Sequence, residues 1–209
     1  MKTGRVVPLT LLLLLAATSA LAMAQEPPTP QPNPSQTGVP GMSASGTPAS
    51  TPRQEAEQSY ALAYEEVAKA KKDLEDGKAK NAEKKFRRAL ERCEKAVGFD
   101  ERYHEAWNLI GYTARKVGDY DRAFKAYDRC LAIKPDYAPA REYLGEAWLD
   151  KGDAKKARDQ MVWLGRLGAT GELKTLKTRY DAWIAAHPDS AAPPALPDSS
   201  SVGARSSGH

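Results

Sequence analysis

Trp107 to Pro135 reads W-N-L-I-G-Y-T-A-R-K-V-G-D-Y-D-R-A-F-K-A-Y-D-R-C-L-A-I-K-P. Trp107, Ile110, Gly111 and Ala114 fall at i, i+3, i+4 and i+7, one face of an α-helix rather than the alternation of a strand. Gly118 is placed to end that helix, and Asp119 to cap the next. Ala123, Tyr127 and Cys130 then take up the helical spacing again, and Pro135 closes the unit. Short residues at 111 and 123 predict two backbones in close approach, since helices come near each other only where side chains are small. One such hairpin leaves an apolar stripe uncovered, so the stretch predicts neighbours of the same shape stacked against it.

Counted from His104, the positions Trp107, Ile110, Gly111, Ala123, Tyr127, Cys130 and Pro135 resemble the pattern of the tetratricopeptide repeat (TPR). Ala114 departs from it, being smaller than the aromatic usual there. The resemblance implies an all-α solenoid of α-α hairpins and a protein that binds other proteins without catalysis.

The flanking sequence fits this expectation. Adding one repeat of about 34 residues places Leu144, Gly145 and Trp148 on a third first helix. Gly152-Asp153 then repeats the turn at Gly118-Asp119, and Ala157, Met161 and Leu164 continue on the second helix. Arg141 stands where the pattern has tryptophan, which predicts a stem lying over the core and a head in water. Upstream, Thr51, Pro52 and Gln54 form a helix start with a capping box. That helix is expected to stop at Gly77, and a second to run from Lys78 to Val97 with Gly98 as its cap. Ala82, Phe86 and Ala89 fit the small-aromatic-small pattern, and so do Ala89, Cys93 and Ala96, so the first hairpin reads as a longer, degenerate repeat. After Gly168, Thr170 is placed to cap a last helix whose stripe is Leu173, Leu176, Tyr180, Trp183 and Ile184, and which is expected to close the open end of the core. About three repeats and one capping helix are thus expected over 52–187.

The ends read differently. Lys2 and Arg5 precede the apolar run Val6 to Leu15, and Ala22-Met23-Ala24 fits a cleavage signature, so 1–24 reads as a secretory signal peptide. The run is too short to span a bilayer, so no stable membrane anchor is expected after cleavage near Ala24. Residues 25–51 are rich in Pro, Ser, Thr and Gly with one charge, Glu26, and 188–209 are similar; both read as disordered. The expected localisation is exported, periplasmic or extracellular. Without Lys2 and Arg5, 29 basic residues face 27 acidic ones, a formal +2. The first hairpin's basic pairs are interleaved with acids, which argues against a nucleic-acid partner.

No catalytic motif is present. His104, His187 and His209 stand outside any metal-ligand spacing, and no nucleophile or phosphate loop can be nominated. The expectation is therefore no enzyme, no cofactor and no metal. Cys93 and Cys130 read as two buried free thiols, with a bridge as the alternative.

In a TPR stack the first helices line the concave side, so the resemblance implies a groove formed by Asn108, Tyr112, Arg115 and Lys116 in the central repeat. Glu142, Glu146, Leu149 and Asp150 would extend it in the third. Some TPR proteins hold a peptide's terminal carboxylate with a set of lysines, asparagines and arginine. Here Tyr112 replaces one asparagine, and Glu142 and Glu146 stand where cations are needed, which argues against such a clamp. The expected partner is a protein or peptide, extended or helical, bearing both charge signs and held by Tyr112 and Arg115. Self-association through the open ends and a thiol-based redox or metal sensor using Cys93 and Cys130 are the alternatives.

Overall fold

The first helix begins where the capping box places it: Thr51 Oγ1 accepts from the Gln54 amide, and the Gln54 side chain accepts from the Thr51 amide. The structure, a computed structural model, describes residues 50–188. The signal peptide, nearly all of the N-terminal linker and the C-terminal tail lie outside the described residues. Among those described there are seven α-helices and no strand: α1 Pro52–Glu75, α2 Ala79–Phe99, α3 His104–Lys116, α4 Tyr120–Ile133, α5 Ala138–Asp150, α6 Ala154–Arg166 and α7 Thr170–Ala186.

Each hairpin pairs consecutive helices, α1 with α2, α3 with α4 and α5 with α6. Each pair also packs on the next: α2 meets α3, α4 meets α5, and the first helices α3 and α5 touch directly. The result is the expected TPR-like solenoid, in which each hairpin covers its neighbour's apolar stripe. The turns follow from their chemistry. Gly118 and Gly152 adopt φ of 81° and 80°, a left-handed conformation open to glycine at no steric cost. The Asp119 and Asp153 side chains then accept from the amides of Arg122 and Lys156, capping α4 and α6.

The small residues do what their spacing predicts. A β-carbon on Gly111 would lie 2.4 Å from the ring of Tyr127, which is fully buried. At Gly145 the corresponding second-helix residue is Met161, and it is Leu176 of α7 that fills the space, 2.4 Å from where a β-carbon would sit. α7 packs on both α5 and α6 and so takes the place of a further first helix. Leu176 is its one fully buried side chain, with Leu173, Tyr180 and Trp183 half-buried over the second core cluster.

Three local expectations are corrected. α2 runs through Gly98 and ends at Asp100. Asp100 fixes that end, because its carboxylate binds Arg53 at 2.7 Å and accepts from the Arg102 amide. The N-cap of α7 is Ala169, not Thr170, since the α6 end motif, with Gly168 at φ 67° and the Ala169 amide bonded to Leu164 O, sets the entry one residue early. The Arg141 head does not reach water. The residue is 8% exposed, donates to Pro135 O at 2.8 Å and lies over the Trp163 ring at 4.2 Å. The guanidinium thus satisfies a loop carbonyl and covers an indole where the family pattern would bury a tryptophan.

Candidate functional site

The face shared by the first helices is closed more tightly than a run of half-apolar helices suggests. Asn108, Tyr112 and Arg115 stand at i, i+4 and i+7 on α3, one stripe turned towards α5. Tyr112 packs edge-on against Phe86 of α2 at 6.2 Å and tilted against Tyr143 of α5 at 5.3 Å. One turn further, Arg115 Nη1 lies 2.6 Å from Glu146 Oε2, both side chains almost wholly out of water. Arg115 also faces Asp150 at 3.7 Å, and Asp150 binds Arg179 of α7 at 2.5 Å. Three successive first helices are therefore tied by one chain of charges.

This overturns the open groove. Of the seven residues assigned to it, Asn108, Tyr112, Arg115, Glu146 and Leu149 are buried, and Lys116 and Glu142 are half-buried. The reason is side-by-side packing of α3 and α5, whose large side chains fill the space between the helices instead of lining it. Tyr112 and Arg115 are not available to grip a partner from the surface, so that part of the expectation is withdrawn. Tyr60, tilted against Tyr103 with ring centroids 5.1 Å apart, extends the same aromatic filling towards α1.

Electrostatics follows the burial. Desolvation lowers the pKa of the Arg115 guanidinium, but Glu146, with Tyr127 and Asp150, more than reverses this and leaves it raised. Lys116 is pushed down to about 8, by burial first and then by Arg115. Glu142 is pushed up to about 8, by burial first and then by Glu146 and Glu172, against a smaller pull from Arg115. The half of the face nearer the helix C-termini is thus held by cations, and the half nearer the N-termini carries carboxylates.

That N-terminal half holds one polar side chain without a protein partner. Asn108 is 0% exposed, and neither its Oδ1 nor its Nδ2 has a hydrogen bond. Glu105, earlier on the same stripe, is partnered by His104, whose Nδ1 lies 3.0 Å from Glu105 Oε2, and nearer the C-termini Glu146 Oε1 has no hydrogen bond although Oε2 pairs with Arg115. Buried polar atoms left in this state are uncommon, and a site for a polar ligand is one cause. Glu105 and Glu172 were not singled out from the sequence. Glu105, three residues before Asn108 on one stripe, was legible by spacing; Glu172 was not, because only the docking of α7 brings it to α5.

The thiols do not support a sensor. Cys93 and Cys130 are both buried and unbridged. Burial, with Glu105 adding to it, pushes the Cys130 thiol up to about 12, and burial also raises Cys93. Reactive cysteines are found in the opposite state, lowered and accessible. Among the described residues no group of three or more His, Cys, Asp and Glu could hold a metal ion, and no helix is long and apolar enough to cross a membrane.

Stacked helix pairs with this face between them define an all-α, TPR-like solenoid. Residues 104–137 match the tetratricopeptide repeat family. Among solved structures, a crystal structure of MamA is similar at 16% identity and a TM-score of 0.37, covering 57% of this chain and 88% of that one. No curated protein matches the chain in sequence.

Proposed function

We propose that the protein is a non-catalytic scaffold that binds a protein partner along its first-helix face, and that it does so after export. The observation that carries the reading is the amide of Asn108: a fully buried side chain, on the repeat that matches the family, with both polar atoms unsatisfied by the protein. An unpaired buried amide costs roughly 1–3 kcal/mol, and at 0% exposure a peptide main chain reaches it only if α3 and α5 part there. Glu105 on α3, Glu142 on α5 and Glu172 on α7 are half-buried, so part of the face is open to solvent. The apolar run and A-x-A signature of 1–24 support export.

Crosslinking in intact cells, followed by mass identification, tests the scaffold. Capture of a defined partner that is lost in Asn108→Leu, with the helical signal retained, supports it. An unchanged partner set in Asn108→Leu removes the face from the interaction. Fractionation tests export: a chain that keeps residues 1–24 and stays in the cytosol refutes it.

A further inference from the structure

Between the central and third repeats an indole and a guanidinium change places. In the central repeat Trp107 on α3 donates from Nε1 to Glu101 O at 2.9 Å, and Arg129 on α4 reaches the Glu101 carboxylate at 4.0 Å. One repeat further on, the guanidinium is Arg141 on α5 and the indole is Trp163 on α6. Arg141 Nη2 and Nε donate to Pro135 O at 2.8 and 3.2 Å, so the loop carbonyl keeps its donor. The carboxylate is lost, because Pro135 stands where the earlier loop has Glu101. Arg141 Nη1 donates to Gln160 Oε1 at 3.3 Å. Among the described residues these bonds use three of the five N–H groups of the guanidinium, and none of the acceptors is a carboxylate. A buried charge is ordinarily paired, yet Arg141, 8% exposed, faces a carbonyl, an amide and the Trp163 ring at 4.2 Å. Trp163 is 42% exposed, and the exposed Arg166 stands 5.6 Å over the same ring.

We propose that Arg141, Trp163 and Arg166 form a docking surface for an acidic peptide of a partner, whose Asp or Glu carboxylate takes the place that the Glu101 carboxylate holds one repeat earlier. A carboxylate accepts N–H bonds from a guanidinium in a planar fork, and Arg141 has N–H groups left to give. Arg166 adds a second positive charge at the rim, and the Trp163 ring offers a flat apolar area for the neighbouring peptide side chain. Asn108 takes no part in this contact, so its loss leaves the first-helix face and the crosslinking test of that face unaffected.

The probe is acetyl-Leu-Glu-Glu-amide, titrated into the purified chain and followed by NMR at the Trp163 indole N–H, which Trp163→Phe assigns. Its neutral isostere is acetyl-Leu-Gln-Gln-amide. The acidic peptide moves the Trp163 signal, and the neutral one binds roughly tenfold more weakly, as loss of a charge-assisted bond requires. Added salt weakens the acidic peptide. Pro135→Glu, at an exposed loop position, returns a carboxylate to the place it holds in the central repeat; it keeps the helical signal and weakens peptide binding roughly tenfold. Arg166→Gln, also exposed, weakens binding as well, and it decides alone should Pro135→Glu disturb the fold. Equal binding of the two peptides, or unchanged binding in the folded variants, overturns the assignment. So does inorganic phosphate that displaces the peptide at equal concentration, since the surface then takes any anion. A Trp163 signal that moves on concentrating the protein alone makes a second copy the occupant and overturns the acidic partner.

Discussion

Breaking the buried Arg115–Glu146 pair probes the seam that holds the repeats together. At 2.6 Å and an effective dielectric of about 20, the pair attraction is about 6 kcal/mol before desolvation is subtracted. Removing one partner strands a buried charge, which costs about 3–5 kcal/mol, whereas replacing both with apolar residues is often neutral. The two single variants should differ. Arg115→Met leaves Glu146 without its ion-pair partner, while Glu146→Leu leaves Arg115 facing Asp150 at 3.7 Å. Arg115→Met is therefore expected near the top of that range, Glu146→Leu about 1–2 kcal/mol lower, and the double variant less destabilised than either. At about 3 °C per kcal/mol, Arg115→Met loses about 15 °C in Tm. The assay is urea unfolding followed by far-UV circular dichroism, reading the midpoint at constant slope. If the two single costs sum to the double within about 0.5 kcal/mol, the residues are not coupled, and the seam between α3 and α5 is held by the tyrosines alone.

Other expectations follow from the same geometry. Gly111→Ala drives a methyl into the rigid Tyr127 ring and should cost about 1–3 kcal/mol despite the better helix propensity of alanine; Gly145→Ala meets the movable end of Leu176 and should cost less, with equal melting temperatures refuting the distinction. Leu176→Ala removes the one fully buried anchor of α7 and should cost about 2–5 kcal/mol, with amide exchange speeding up first in α7; uniform loss of protection across α3 and α5 would count against α7 as a separate cap. The Glu142 carboxyl is raised in the fold, so the folded chain binds its proton more tightly and stability falls as pH rises from the usual glutamate range to about 8. Glu142→Gln should remove that fall, read as a Tm gain larger at pH 8.5 than at pH 5; an equal gain at both refutes the assignment. Cys93 and Cys130 should resist a thiol reagent at pH 8 until the chain is unfolded, and rapid native modification would contradict their burial.

The sequence by itself determined the helices, the turns and which residues are small. The period of Trp107, Ile110, Gly111 and Ala114, the glycines at 118 and 152 and the aspartates after them act within one or two turns of chain, and local chemistry suffices to read them. What it left open is what stands opposite each helix face. Asn108, Tyr112, Arg115 and Glu146 are polar or amphipathic and read as groove lining. Only packing of α3 on α5, in a register set by Tyr112 against Tyr143, puts them out of water, because burial depends on neighbours distant in the chain. The docking of α7 was decided the same way, where Gly145 leaves room for Leu176. A residue's type is written in its codon, but its surroundings, and with them its charge state and its use, are set by the elements folded against it.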